Sequence, residues 1–519
     1  MTAEEANKDR KVIPRWRPWR LARTLGETMP AVSAALPLVP LTDIFAAATD
    51  WRAKGGDMRA AELVSTALTS QTASCDTLKA ATELMSSNSA LPLQRAAAAM
   101  LLSDEDLDKN VPLSEIRANS IDVVVVRSRI ATLRRHLVER PNNALTWTDL
   151  AREYLVVGQD ARAERALRNA LAIAPYNRFV VRSAVFFYHH VRDPDRAIAT
   201  LQKAAFERDP WLFAARVTMP HSKAPSTRLA RQALDNFDSA PWHLGELAAA
   251  IATREIEGGG DKLAKKLMRK ALVDPTENVL AQAEWAKRHG VESNSNLELS
   301  KAPFEARARR AANEQRWKDA ADSALTWLVD QPFSVDAAGF ASVYALECEN
   351  FELAEQISSV GLSANPGNVA LLNNRAFAKA SGWKINDAAR DLASIDYRST
   401  SKRERGYILA TSGFILYRGG DEERGRNYYE TAIKSFISLG LIDSAARAAV
   451  NLAAEDRRVA SEHAASSQKR AKQLVDQSQE GLVRDAWRRL CMSNHPSWLG
   501  QVDRDPAIDR NIQLPPIQS

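Results

Sequence analysis

Prolines recur in this chain at a fixed interval: Pro141 and Pro175, Pro241 and Pro275, and Pro332 and Pro366 each lie 34 residues apart. A period of that length is one supersecondary unit, too small to bury its own apolar face, so neighbouring units must stack. Between the first pair of prolines the apolar and small residues fall on helical spacings: Trp147, Leu150, Ala151 and Tyr154, then Gly158, then Ala163, Leu167 and Ala170. With Ala144 as position 1, these are positions 4, 7, 8, 11, 15, 20, 24 and 27, and Pro175 is position 32. The first four share one face of a helix and 20, 24 and 27 share one face of a second. Gly158 lets the chain turn between the helices and Pro175 stops the second.

This pattern resembles the tetratricopeptide repeat (TPR). A unit from Arg178 carries Tyr188, Ala197, Leu201 and Ala204; one from Lys301 carries Phe304, Ala308, Ala311, Ala320, Ala324 and Trp327. Further units start at Val335 (Ala341, Ala345, Ala354, Gly361), Val369 (Leu372, Ala376, Ala388, Leu392) and Gly406 (Leu409, Gly413, Leu416, Gly420, Tyr429, Ala432). Units at 210–240 and 241–278 are degenerate, and the resemblance is weaker over residues 41–140. Downstream of residue 432 the spacing is similar to the slightly longer repeats of bacterial regulatory proteins. The resemblance implies an all-α, right-handed α-solenoid of helix–turn–helix units, with turn formers at residues 290–300 as a break between two stacks. The expected layout is a basic segment (1–40), degenerate repeats (41–140), two arrays (141–290 and 301–456), C-terminal helices (457–492) and a flexible tail (493–519).

Composition agrees with helices throughout. The 519 residues include 86 alanines, the best helix former, and only 21 glycines and 22 prolines. The longest apolar runs fall far short of the roughly 20 residues that span a bilayer, so no membrane partner is expected. Cys75, Cys348 and Cys491 are isolated, which suits a reducing, cytoplasmic setting better than a disulfide framework.

Site chemistry is sparse. Gly258, Gly259 and Gly260 precede Asp261 and Lys262 without Walker spacing and read as an inter-helix turn. The eight histidines include no pair one helical turn apart and none near a cysteine at zinc spacing, so neither a metal nor a cofactor is expected. Arginine and histidine five residues apart, as in HEPN ribonucleases, occur at Arg216 and His221 and at Arg458 and His463. Two such pairs are near chance for 50 arginines and eight histidines. The chain is therefore expected to be non-enzymatic.

In the family that the repeats resemble, positions 2, 5, 9 and 12 of the first helices line a concave groove that holds extended peptides. Carried over, this implies a partner-binding groove of Arg152, Phe179, Arg182, Phe186, His189 and Arg309, with Asn373, Asn374 beside it, Phe377, Tyr407, Phe414 and Tyr417. Such a surface suits a protein segment with acidic and apolar anchors. The carboxylate clamp of chaperone-binding members is not reproduced: Gly339, Val343, Asn374, Tyr407 and Thr411 stand at its five positions, and only Asn374 agrees.

Residues 8–23, KDRKVIPRWRPWRLAR, hold seven basic residues and one acid. Arg15, Trp16, Arg17, Trp19 and Arg20 form their centre. Three readings stand open: phosphate neutralisation and base stacking on nucleic acid, docking onto a protein, or folding back on the first repeats. The leading expectation is a bacterial-type scaffold that binds a protein partner, and the alternative is a nucleic-acid-associated subunit of a multi-protein complex, such as one for defence or RNA processing.

Overall fold

A computed structural model of the chain describes residues 15–24, 44–70, 74–103, 122–175, 177–202, 209–219, 224–236, 241–273, 275–492 and 514–515. The described residues contain helices and no strands. The chain divides into two compact units. The first comprises Arg10–Arg309 together with Val329–Gln331, and the second Arg310–Leu328 and Pro332–Ser519, joined in the division by Met1–Asp9. The division falls inside a helix and not at residues 290–300, where the structure has a short 3-10 turn, Leu297–Leu299.

In the first unit, a short helix α1 (Trp19–Thr24) precedes α2 (Ile44–Lys54), α3 (Asp57–Ser70), α4 (Cys75–Ser86), α5 (Pro92–Ser103) and α6 (Val123–Glu139). There follow α7 (Ala144–Val156), α8 (Asp160–Ile173), α9 (Arg178–His190), α10 (Pro194–Leu201), α11 (Pro210–Thr218), α12 (Thr227–Asn236), α13 (Pro241–Glu257), α14 (Asp261–Ala271) and α15 (Glu277–Arg288). Helix α16 (Phe304–Asn313) carries the chain across the division. The second unit contains most of α17 (Trp317–Asp330), then α18 (Val335–Glu347), α19 (Phe351–Ala364), α20 (Val369–Ser381), α21 (Ile385–Ala393), α22 (Lys402–Arg418), α23 (Glu422–Ser438), α24 (Ile442–Arg458), α25 (Ala464–Gln477) and α26 (Gly481–Met492). Within each unit most helices pack on their successors, as α7 on α8, α13 on α14, α18 on α19 and α22 on α23, and first helices also touch one another, as α18 with α20, α20 with α22, and α22 with α24. That is the contact pattern of a helical repeat.

Local chemistry repeats with the packing. Asn143 and Asn177 cap α7 and α9, accepting from Leu145 and Thr146 and from Val180; Ser334 and Asn368, also 34 residues apart, cap α18 and α20 in the same way. These side chains satisfy backbone donors that a helix start leaves open. At the turn inside each unit one residue takes a left-handed backbone: Gly158 and Arg192 in the first unit, and Gln315, Glu349, Trp383 and Gly420 in the second. All six occupy position 15 of their repeats. Four of them are not glycine, so the repeat geometry holds a conformation that side chains disfavour.

Small residues sit where helices meet most closely. Ala151, Ala163 and Ala170 are fully buried. In the unit from Gly406 the pair is Gly413 and Gly425, positions 8 and 20: a Cβ on Gly413 would lie 2.8 Å from the Tyr429 ring and 2.9 Å from the Gly425 carbonyl oxygen. The second unit has one continuous apolar core from Leu372 to Leu490, centred on α22 to α24. The first unit has a core around α3 to α5, to which Trp19 and Ala22 of α1 belong, and another around α13.

Candidate functional site: one filled groove and one open groove

The first helices of the first unit present Asp149 and Arg152 from α7, Phe179 and Phe186 from α9, Glu277 from α15 and Glu305 and Arg309 from α16. Residues 15–19 lie across them. Arg17 is 0% exposed, and its guanidinium forks onto Asp330, Nε donating to Oδ1 at 2.6 Å and Nη2 to Oδ2 at 2.7 Å, while Nη2 also reaches Glu277 at 2.6 Å. Arg15 donates to Glu305 at 2.8 Å, whose other oxygen is held by Arg309 at 2.7 Å. The Asp330 carboxyl is held below the usual carboxylate range: burial pushes it upward, and the charge and hydrogen bonds of Arg17 outweigh that push.

The backbone of the segment is read as well. The Trp16 amide donates to Gln331 Oε1 at 3.3 Å, its carbonyl accepts from Arg152 Nε at 3.0 Å, and the Trp19 amide donates to Asp149 Oδ1 at 2.9 Å. Arg152 also donates to the Asp330 carbonyl at 3.2 Å. The Trp16 ring lies 5.9 Å from Phe186, and Trp19 meets Phe179 edge-on at 5.0 Å. Thus Trp16, Arg17 and Trp19 are buried in the fold, against α7 and α9 of the early repeats and also against α15 to α17; the side chain of Arg20 lies outside the described residues. Arg182 faces away from this contact set. It pairs with Glu246 at 3.0 Å and stacks over Trp211 at 4.6 Å. His189 is half-buried.

In the second unit the corresponding helices border a cavity with about 1190 Å³ of empty volume, part of it open to solvent. Asn373, Asn374, Phe377, Tyr407 and Phe414 all line it. Phe377 stacks on Phe414 at 4.6 Å, forming an aromatic wall. Asn374 is fixed by donating to Ser342 Oγ at 2.9 Å. Asn373 is 6% exposed, yet its Oδ1 has no hydrogen-bond partner. A buried acceptor left open costs about 1–3 kcal/mol, so this oxygen is available to a donor that enters the cavity. At one edge Glu347 is paired with Arg447 and, at 3.1 Å, with Arg489. Two arginines thus share one carboxylate, Glu349 also lines the cavity, and the remaining polar lining is of neutral amides and hydroxyls. Tyr417 is not part of it: buried, it donates to Asp456 at 2.7 Å, and burial together with that carboxylate pushes its phenol well above its ordinary value.

The sequence reading missed Arg447, Arg489 and Glu347, which come from outside the first-helix positions used to lay out the groove, and the acids Glu277, Glu305 and Asp330. Of the arginine–histidine pairs, Arg458 lies at the end of α24 and bonds Glu455 at 2.6 Å, whereas His463 precedes α25 and is half-exposed, so the two do not share a helix. His221 lies outside the described residues. Among the described residues no cluster of three or more His, Cys, Asp or Glu is arranged to hold a metal ion, and no helix is long and apolar enough to cross a membrane.

The outer helices of the first unit have a different character. On α14, Lys262, Lys265, Lys266, Arg269 and Lys270 are all exposed against one acid, Asp261. On α6, Arg127, Arg134 and Arg135 are exposed, and on α8 Arg162, Arg165 and Arg168. No protein-family model matches the chain, and no curated protein matches it.

Proposed function

We propose that the chain is a TPR-type scaffold, non-enzymatic and cytoplasmic, whose two units are short right-handed solenoids and which captures an extended segment of a protein partner in the groove of its second unit. The observation that carries this reading is the open cavity with the buried, unsatisfied Asn373 acceptor beside the Phe377–Phe414 wall. An amide acceptor pairs with a peptide N–H, and aromatic walls supply contact area at low entropy cost. Because Arg447 and Arg489 share Glu347, the segment expected here is apolar or amide-rich rather than acidic.

The test is a displayed library of random peptides selected on the full chain. Selected peptides should lose at least tenfold in affinity with Asn373→Ala and with Phe377→Ala. Peptides that tolerate both substitutions, or a library that yields no binder, would end this reading.

A second reading has its own support in the exposed cations of α6, α8 and α14. Cations at i, i+3 and i+4 on a helix stand about 5–6 Å apart, a charge density suited to phosphates. If this face serves a nucleic acid, binding weakens steeply with salt, and Lys265→Glu with Lys266→Glu lowers the slope. A salt-independent signal would exclude it.

A further inference from the structure

The first unit's groove carries a second assignment, independent of the reading above. We infer that this groove is a receptor site for an arginine–tryptophan–arginine segment, and that residues 15–19 are its resident, exchangeable occupant.

The segment is bound as a ligand is bound. Residues 15–18 are outside any helix. Their contacts include side-chain-to-backbone bonds from Gln331, Arg152 and Asp149, with Arg17 forked on Asp330, Arg15 bonded to Glu305, and two tryptophans against two phenylalanines. An extended peptide in a groove is recognised in this way, its main chain read by polar side chains and its own side chains by pockets.

Bonds within the receiving wall orient its polar groups. Glu305 is held by Arg309, Asp330 by Gln331 Nε2 at 3.2 Å, and Arg152 by Glu153 at 2.7 Å. Each acceptor is thereby aimed before an arginine arrives, which cuts the ordering cost of binding. Charge agrees: Glu277, Glu305 and Asp330 are buried carboxylates beside Arg309, while Arg152 is paired with Glu153. Arg15 and Arg17 restore the balance. The planar fork that Asp330 takes from Arg17 selects arginine over lysine. The site accordingly fits a segment with two arginines one residue apart, an aromatic residue between them, and a second aromatic two places on, which is the spacing of Arg15, Trp16, Arg17 and Trp19.

Exchange is the property to test. A labelled peptide of residues 8–23 is added to the full chain, wild type and with Arg15→Ala, Trp16→Ala and Arg17→Ala combined, alongside a scrambled peptide of the same composition. The weakened chain should bind the native-order peptide at least tenfold more tightly than wild type does. The scrambled peptide should not compete, and adding Asp330→Asn should remove the gain. Equal binding to both chains, binding that ignores peptide order, or no binding by a folded triple variant would overturn the assignment. So would a wild-type dimer in which copies exchange their segments, since the occupant is assigned to its own chain. Should the triple variant fail to fold, hydrogen exchange of wild type decides. The Trp16 and Trp19 amides should exchange at least tenfold faster than those in the middle of α7 and α9, through opening of the segment alone. Exchange of all of them in one step would overturn it.

Discussion

The two units share a repeat but treat their inner surfaces in opposite ways. The first fills its groove with charged residues of its own chain: Arg17 is 0% exposed between Asp330 and Glu277. The second leaves a cavity whose walls are aromatic and whose open acceptor is a neutral amide. The difference teaches that the first-helix positions of a repeat fix where contacts are made but not with what. A groove lined with carboxylates cannot stand empty without strain, because buried charges need partners. A groove lined with aromatics and amides can.

The sharpest way to break this comparison is Arg17→Ala. It strands Asp330 and Glu277 in the interior and should cost about 3–5 kcal/mol. Hydrogen exchange should show lost protection in α7, α15 and α16 and unchanged protection in α22 to α24; equal losses in both units would dissolve the distinction. Next is Gly413→Ala in the second unit, whose new Cβ would meet Tyr429 at 2.8 Å. Overpacking of this kind costs about 1–3 kcal/mol, read by chemical denaturation.

A paired substitution sharpens the account of the open groove. Asn374→Leu removes the donor to the buried Ser342 Oγ, which keeps only its own bond to the Gly339 carbonyl, and should cost about 1 kcal/mol. Asn373→Leu breaks no hydrogen bond through Oδ1 and should be close to neutral in stability while losing the peptide. If both destabilise equally, Asn373 is structural.

Acid provides a further contrast. Because Asp330 titrates lower in the folded chain than in the unfolded one, its contribution is fully present above the unfolded carboxylate value, about pH 4, and is lost as pH falls through the folded value. Protection of the Trp16 amide should therefore fall with acid, and Asp330→Asn should flatten that dependence. The smallest effect expected is common to both units. Arg192→Gly and Ala460→Gly each relieve a left-handed backbone and should stabilise by up to about 1 kcal/mol.

The helix pairs were legible in the sequence because their spacing is set by packing: Ala151, Ala163 and Ala170 are the small residues that close approach demands, and each is fully buried. Gly158 and Gly420 likewise announce the turn. Arg192, Gln315, Glu349 and Trp383 do not, since at those turns the repeat overrides residue preference. Along the inner face, Asn373, Phe377 and Tyr407 were found from their positions alone. Tyr417 was misleading because a signal lay on its neighbour: a Cβ on Gly425 would come within 2.6 Å of the Tyr417 ring, so the missing side chain is what draws Tyr417 inward toward Asp456. Filling of the first groove by residues 15–19 was one of several open readings, since pairing across 313 residues leaves no local pattern.

The separation between Trp16 and Gln331 also fixes an order of events in synthesis. Gln331, which accepts from the Trp16 amide, is made 315 residues after it. At about 5–20 residues per second, that is an interval of roughly 16–60 s in which the segment has no completed site. During that time a basic, aromatic peptide is tethered to a working ribosome.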